Sequence, residues 1–270
     1  MKKGLRFTMV LTLLALFTGI ACAEQLVING STTVLPIAQK VSEAYMKAYP
    51  GSAISISGGG SSNGIRALID STTNIGNSSR FITAKEVKQA VDNGVYPVPH
   101  RIALDCIVPI IHPSNPVNNL SLEQLKDIYT GKIQNWKDVG GEDLKIVVIS
   151  RDSSSGTFDA WKELVMEKER VVPNALTQPS NGGLVTQIGN TKGAIGYIAL
   201  GYINDDVKTI TVEGVQGSIE TTLNNKYKIS RPLFMFTNGW PEGETLSFIN
   251  FILSKQGQSL VAEAGSIPLY

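Results

Sequence analysis

Short runs of apolar, β-branched residues alternate along the chain with longer segments in which apolar residues recur at helical spacing. A loop of Gly, Ser and Thr follows most predicted strands, and a predicted helix follows the loop. This order predicts α/β layers on a mostly parallel sheet. The predicted strands include residues 25–29, 53–57, 145–149 and 193–199, and the predicted helices include 34–48, 65–69, 83–91, 120–129, 157–166, 244–253 and 257–263.

Two apolar runs, residues 102–111 and 229–236, are longer than the other predicted strands. We interpret them as strands that pass from one domain to another and back. The length of 270 residues and the hydrophobic content of 42% are sufficient for two domains.

The first 23 residues have the features of a secretory signal peptide. Three basic residues precede an apolar run at 7–20, which is short for a membrane span, and Ala-Cys-Ala at 21–23 fits a cleavage site. The competing interpretation makes Cys22 a lipid-modified N-terminus, but the residues before it fit a lipoprotein signal poorly. Cleavage would leave Cys106 as the single cysteine, so no internal disulfide is expected.

The charge of the mature chain gives no indication of nucleic-acid binding. Three of the 24 Lys and Arg residues lie in residues 1–23, so 21 would remain against 23 Asp and Glu, a formal charge of −2. A basic excess is expected of nucleic-acid-binding proteins. An anion would therefore be bound by local donors and not by the overall field of the protein.

The loop at 150–158 is the strongest candidate site. It joins a predicted strand to the N-terminus of a predicted helix, where backbone N–H groups are unpaired and favour negative charge. Arg151 adds a guanidinium fork, Gly156 permits close approach to the backbone, and Ser155 and Thr157 add hydroxyl donors. An ordinary helix cap needs only one such residue, so we favour an anion site.

The residues that most enzymes require are scarce in this sequence. His100 and His112 have no neighbour at metal-ligand spacing, and neither a phosphate-binding loop with lysine nor a nucleophile elbow is present. We therefore expect no catalytic residues, no metal site and no cofactor. Loops rich in donors without a base or a metal favour binding over catalysis.

An ordered set of motifs resembles the phosphate-binding proteins of bacterial phosphate ABC transporters, over nearly the whole mature chain. The motifs are GSTTV at 30–34, GGGSSNG at 58–64, IGNSSR at 75–80, IYTGKIQNW at 128–136, RDSSSGT at 151–157 and GAIGY at 193–197.

The resemblance implies a type II-like periplasmic-binding-protein fold, with two α/β lobes joined by two crossover strands. Lobe I would comprise residues 24–105 plus 232–270, and lobe II residues 106–231. The implied function is high-affinity binding of inorganic phosphate between the lobes and its delivery to the membrane permease subunits for import. The implied protein is a monomer in the periplasm.

The resemblance also implies a set of phosphate-binding residues, matched motif by motif. Some family members have an aspartate in the third loop, where this chain has Ser79 followed by Arg80. The implied residues are Thr32, Thr33, Ser61, Ser79, Arg80, Arg151, Ser155, Gly156 and Thr157.

Two other functional classes compete with solute binding. The density of serines fits a secreted serine-dependent hydrolase or phosphatase, which turnover of phosphate monoesters would reveal. A structural or adhesion protein of the cell surface would explain the signal peptide, but it would not explain donor loops at the ends of several strands.

Overall fold

The computed structural model describes residues 25–270, so the predicted signal peptide at 1–23 and Cys22 lie outside the described residues. The first part of the chain alternates strands with helices and ends in a strand of 15 residues. Its elements are β1 (Leu26–Gly30), α1 (Leu35–Ala48), β2 (Ile54–Gly58), α2 (Ser61–Ile69), β3 (Ile75–Ser78), α3 (Ala84–Asp92) and β4 (Pro97–Ile111).

The middle part repeats the alternation with shorter strands, and the chain then returns through a nine-residue strand to two closing helices. The middle elements are β5 (Asn119–Leu120), α4 (Leu122–Thr130), β6 (Val147–Arg151), α5 (Gly156–Leu164), β7 (Leu176–Gln178), α6 (Asn181–Gly189), β8 (Ala194–Ala199), β9 (Lys208–Thr209), β10 (Thr211–Val212) and α7 (Ile219–Leu223). The closing elements are β11 (Ser230–Asn238), α8 (Gly243–Ile252) and α9 (Lys255–Glu263).

Most strands follow one path of hydrogen-bonded neighbours, in the order β2-β1-β3-β11-β4-β8-β6-β7, and β9 joins beside β4. β1 pairs in parallel with β2 and β3, and β6 pairs in parallel with β7 and β8. The central pairs, β3–β11, β11–β4 and β4–β8, are antiparallel. The predicted α/β class is confirmed, but the expected mostly parallel sheet is mixed, because β4 and β11 run against their neighbours.

The two long strands connect the halves of the molecule. Residues 97–106 of β4 pair with β11, whereas residues 107–111 pair with β8. The long apolar runs of the sequence lie largely within these two strands. At the point where β4 changes partner, Asp105 is the register partner of Arg231, and Cys106 is the register partner of Ser230.

Two helices show how local signals set the first helical residue. Thr83 and Glu86 form a capping box at the start of α3. The second helix was expected to open at 65, but α2 begins at Ser61 directly after Gly60, whose φ is 102°. A glycine in that conformation turns the chain sharply into the helix. Ser61 therefore lies in the first helical turn and not in a loop.

The buried apolar residues form separate clusters on the two sides of the crossing point. The clusters of one side use residues from 26–103 and 233–261, and those of the other side use residues from 106–229. Each half thus has its own core. Within residues 25–270, no helix combines the length and apolar character needed to cross a bilayer.

Candidate functional site

The polar loops of the first half meet at the carboxyl ends of β1, β2 and β3, which are adjacent strands. β1 ends at Gly30, whose φ of 136° is uncommon for other residues. A Cβ at this position would overlap the carbonyl oxygen of Asn77, which accepts a hydrogen bond from the backbone of Ser31. The tight turn places Thr32 and Thr33, both buried, just before α1.

Ser61 and Ser79 lie together in the same region. Ser61 Oγ lies 3.2 Å from Ser79 Oγ and accepts a hydrogen bond of 3.0 Å from the backbone N–H of Ser79. Both residues are buried. The start of α2 and the loop after β3 are therefore joined at this point.

The loop of the second half faces these serines. Ser155 caps α5, since its Oγ accepts a hydrogen bond from Phe158 N. Gly156 follows, and a Cβ there would overlap Ser61 Oγ and lie 2.8 Å from Ser79 Oγ. The close approach of the two halves therefore requires a glycine at this position.

Arg151 lies at the end of β6 with its guanidinium only partly used. Its Nη2 donates to Thr32 Oγ1 at 3.3 Å and to Pro179 O at 2.9 Å, and its Nε donates to Gln178 O at 3.1 Å. Its buried Nη1 has no hydrogen-bond partner within residues 25–270. Burial lowers the pKa of Arg151 from its usual value, although an arginine remains charged in proteins.

Asp152 does not form an ion pair with Arg151 in the described part of the chain. Its Oδ1 accepts hydrogen bonds from Ser154 N at 2.8 Å and from Ser154 Oγ at 2.5 Å. The neighbouring acid therefore shapes the loop and leaves the charge of Arg151 available.

Sequence reasoning missed Arg231 as a member of this cluster. Its Nη2 donates to Thr33 Oγ1 at 3.1 Å and to Thr157 Oγ1 at 2.9 Å, so it touches both halves. Its Nη1 is buried and has no partner in the described chain. The available signal was a single charge within the apolar run at 229–236.

Asn181 and Asp105 were also missed. Asn181 Nδ2 donates to Thr32 Oγ1 at 3.2 Å and to Thr33 Oγ1 at 3.3 Å. Asp105 lies 3.1 Å from Arg231 Nη2, and burial raises its pKa although the charge of Arg231 opposes that shift.

Arg80 is placed differently from the other residues of the predicted set. Its Nη1 and Nη2 donate to both carboxylate oxygens of Glu86, and its Nε forms an ion pair of 2.7 Å with Asp159. Nη2 also donates to Ser62 Oγ. Arg80 Nε is close to Asp159 but does not meet hydrogen-bond geometry, so that contact is an ion pair only. Unlike the unpartnered nitrogens of Arg151 and Arg231, it faces a carboxylate, and the charge of Arg80 is compensated by two acids.

Contacts across the cleft hold the two halves together. Ser62 N donates to Ser154 O at 3.0 Å, Ser154 Oγ lies 3.0 Å from Gly59 O, and Tyr202 OH donates to Thr32 O at 2.5 Å. Thr33 Oγ1 lies 3.1 Å from Thr157 Oγ1. The arrangement is closed.

The chemistry of the cluster is that of an anion receptor. It combines hydroxyl groups, the N-terminus of α5 and two guanidinium groups with unpaired N–H groups, all suited to a tetrahedral oxyanion. His100 and His112 bond Thr237 and Ser114, so neither bonds a serine of the cluster. Within residues 25–270, no group of three or more His, Cys, Asp or Glu residues could hold a metal ion.

Comparisons with known proteins identify relatives over most of the chain. The family model of the PBP superfamily domain matches residues 19–256. A phosphate-binding protein PstS from Borreliella burgdorferi is 34% identical over 250 residues, which cover 88% of both chains. A PstS from Bacillus subtilis is 31% identical over 90% of this chain and 80% of its own.

Solved structures agree with these matches. A substrate-binding protein assigned to a phosphate ABC transporter of Clostridium perfringens, solved with bound phosphate, is 39% identical with a TM-score of 0.86. The match covers 92% of this chain and all of the other. An ABC-type phosphate transport receptor from Vibrio cholerae is 32% identical with a TM-score of 0.73, over 90% of this chain and 99% of the other.

Proposed function

This chain belongs to the phosphate-binding proteins of the PBP superfamily, and we propose that it binds inorganic phosphate between its two halves and delivers it to an ABC transporter for import. In support, the two PstS relatives are named phosphate-binding proteins, and the two solved structures are named as proteins of ABC-type phosphate transport. Arg80 is left out of the direct contacts because its nitrogens face protein oxygens. The proposed binding residues are Thr32, Thr33, Ser61, Ser79, Arg151, Ser155, Gly156, Thr157 and Arg231.

The observation that carries the proposal is the pair of buried, unpartnered Nη1 atoms of Arg151 and Arg231 in the described chain. A buried donor without a partner costs about 1–3 kcal/mol, and more when it is charged. These two donors lie among hydroxyl groups supplied by both halves. An oxyanion would satisfy them and gain the stronger hydrogen bonds of charged donors.

The proposed affinity is micromolar or tighter. A dissociation constant of 1 μM corresponds to about −8.2 kcal/mol. Roughly ten hydrogen bonds, each contributing about 1 kcal/mol net and more when charged, are sufficient after ordering costs. Titration calorimetry of protein freed of phosphate tests this. If millimolar phosphate produces no heat of binding and no shift in melting temperature, the proposal is refuted.

We also propose the division into lobe I, residues 24–105 plus 232–270, and lobe II, residues 106–231. Support comes from the separate apolar cores on the two sides of the crossing strands. Donors from both lobes reach one anion only when the cleft is closed, so phosphate should favour the closed form. Identical X-ray scattering curves with and without saturating phosphate would argue against closure.

Catalysis is not part of the proposed function. The family is one of solute-binding proteins, and the serines of the cluster bond hydroxyl and backbone groups instead of a histidine. Phosphate monoesters should therefore bind weakly or not at all and should not be turned over, with or without divalent metal. Release of phosphate from such esters at a steady rate would favour the hydrolase alternative.

The proposed setting is the periplasm, reached through a signal peptide at 1–23 and cleavage after Ala23. Membrane permease subunits are the proposed partners, and the protein is proposed to act as a monomer. Intact mass of the secreted protein would test the N-terminus: a mass starting at Glu24 supports cleavage, and a lipid adduct on Cys22 supports an anchored form.

A further inference from the structure

The crossing strands bring one charged pair to the centre of the molecule. Asp105 on β4 and Arg231 on β11 are register partners, and β4 leaves β11 for β8 directly after this point. Their side chains are 1% and 5% exposed, and Asp105 Oδ2 lies 3.1 Å from Arg231 Nη2. The pair is therefore buried at the junction of the two halves.

Both carboxylate oxygens of Asp105 accept hydrogen bonds, whereas one nitrogen of Arg231 has no acceptor in the described residues. Asp105 Oδ2 accepts from Nε and Nη2 of Arg231, and Asp105 Oδ1 accepts from Leu200 N. Arg231 keeps a buried Nη1 without a partner in residues 25–270. A buried pair that served only the fold would be expected to have its donors satisfied by protein oxygens.

Arg231 and its neighbours also fix the direction of two hydroxyl groups. Thr33 Oγ1 accepts from Arg231 Nη2 and from Asn181 Nδ2, and Thr32 Oγ1 accepts from Arg151 Nη2 and the same Asn181 atom. A hydroxyl oxygen has two lone pairs and one hydrogen. With both lone pairs filled, each threonine can act only as a donor. The hydrogen of Thr33 is directed to Thr157 Oγ1, 3.1 Å away, and Thr157, which also accepts from Arg231 Nη2, keeps its own hydrogen for the ligand.

We propose that Arg231 contacts the bound anion through Nη1 and, backed by Asp105, makes this side of the cleft a donor-only surface that selects doubly charged tetrahedral oxyanions. The inference rests on the proposed phosphate binding and deepens it. Asp105 is already engaged by the protein: Oδ2 accepts two hydrogen bonds from Arg231 and Oδ1 accepts one from Leu200 N, which uses three of the four lone pairs of the carboxylate.

The decisive variant removes both charges at once. In Asp105→Asn/Arg231→Gln neither of the two positions is left with an uncompensated buried charge, so we expect a melting temperature near that of the unmodified protein. Phosphate affinity should fall by about a hundredfold, as is typical when one buried charged contact is lost, and sulfate affinity should fall with it. If the pair serves only the fold, the folded double variant will bind phosphate as tightly as the unmodified protein does, and the inference is overturned.

A second variant keeps the test valid if the double variant fails to fold. Arg231→Lys retains the charge and the pairing with Asp105 but lacks Nη1, so phosphate affinity should fall about tenfold or more. Unchanged affinity would overturn the inference. Arg101→Gln, which changes an exposed arginine on β4, the strand of Asp105, is the control and should leave both affinity and melting temperature unchanged.

The unmodified protein separates the two claims. If the unmodified protein binds phosphate and the variants at Arg231 bind it with the same affinity, only this inference fails. If the unmodified protein binds no phosphate, the proposed function fails, and the inference fails with it.

Discussion

Two sets of arginines lie near the cleft and differ in how the protein uses them. Arg151 and Arg231, the strand arginines, are buried, and each keeps an Nη1 without a partner in the described residues. The Arg80 cluster, formed by Arg80, Glu86 and Asp159, pairs one guanidinium with two acids. Burial lowers the pKa of both strand arginines, whereas Glu86 and Asp159 outweigh burial and raise the pKa of Arg80.

The two sets of arginines differ in role: one can bind a ligand, and the other joins parts of the protein. A guanidinium whose nitrogens face carboxylates has little left to offer a ligand, but it can join parts of the protein, and Arg80 reaches Asp159 in the other half. A guanidinium that donates to carbonyls and hydroxyls keeps its charge for an anion. Position in a ligand loop therefore does not by itself make an arginine a ligand.

The largest expected effect comes from removing a strand arginine. Arg151→Met should weaken phosphate binding by about a hundredfold or more, because a full charge and a fork are lost from a buried site. Ser79→Ala removes one neutral hydroxyl and should cost about fivefold. Calorimetry of both variants measures the contrast.

The fold of the Arg151→Met variant must be checked by its melting temperature. A folded variant with unchanged affinity would mean that Arg151 only shapes the loop through its bonds to Gln178 and Pro179.

Competition by sulfate tests how well the site distinguishes a protonated anion from a fully deprotonated one. Ser79 stands where some relatives have an aspartate. Asp152 accepts from Ser154 and Asp159 pairs with Arg80, so both nearby acids already have protein partners. We expect weaker discrimination against sulfate than in aspartate-bearing relatives, and phosphate binding that holds or strengthens from pH 6 to pH 8. Phosphate binding untouched by a thousand-fold excess of sulfate at pH 8 would contradict this expectation.

A smaller effect is expected from the Arg80 cluster. Asp159→Asn removes the acid that joins Arg80 to the other half, and a partly exposed pair contributes about 0.2–1 kcal/mol. Phosphate affinity should fall up to about fivefold at low salt and less at high salt. Glu163→Gln on the same helix, whose partner Lys168 lies in its own half, should change nothing. A hundredfold loss for Asp159→Asn would mean that Arg80 is a ligand after all.

The smallest effect concerns acid stability. Burial raises the pKa of Glu86, but hydrogen bonds from Arg80 and Thr83 outweigh it and the net direction is down. A lowered folded-state pKa means that the stabilisation is present above the unfolded pKa, about 4.3, and is lost as pH falls through the folded value. Glu86→Gln should therefore cost about 1 kcal/mol at pH 7 and less at pH 3.

Urea denaturation at the two pH values measures this difference. Glu123→Gln, an exposed first-turn glutamate of α4, is the control and should show a smaller change between the two. An equal cost of Glu86→Gln at both pH values would contradict the assigned sign.

The sequence alone predicts those features of the fold whose signal lies within a few neighbouring residues. Strands followed by small-residue loops and the two long crossing runs are patterns within a few residues, and the α/β class followed from them. The periplasmic-binding-protein fold was implied by the resemblance of the ordered motifs. The Asp105–Arg231 pair joins positions 126 residues apart, and no local pattern links them. The role of Arg80 depends likewise on Asp159 in a distant helix. Partners brought together by the fold decide which charges are free, and a loop motif does not contain that information.

The most direct test of the central claim is a crystal structure with bound phosphate. We expect Nη1 of Arg151 and Nη1 of Arg231 each to lie about 2.7–3.2 Å from a phosphate oxygen, while Arg80 stays with Glu86 and Asp159. A phosphate held without either Nη1 atom, or held by Arg80 instead, would contradict it.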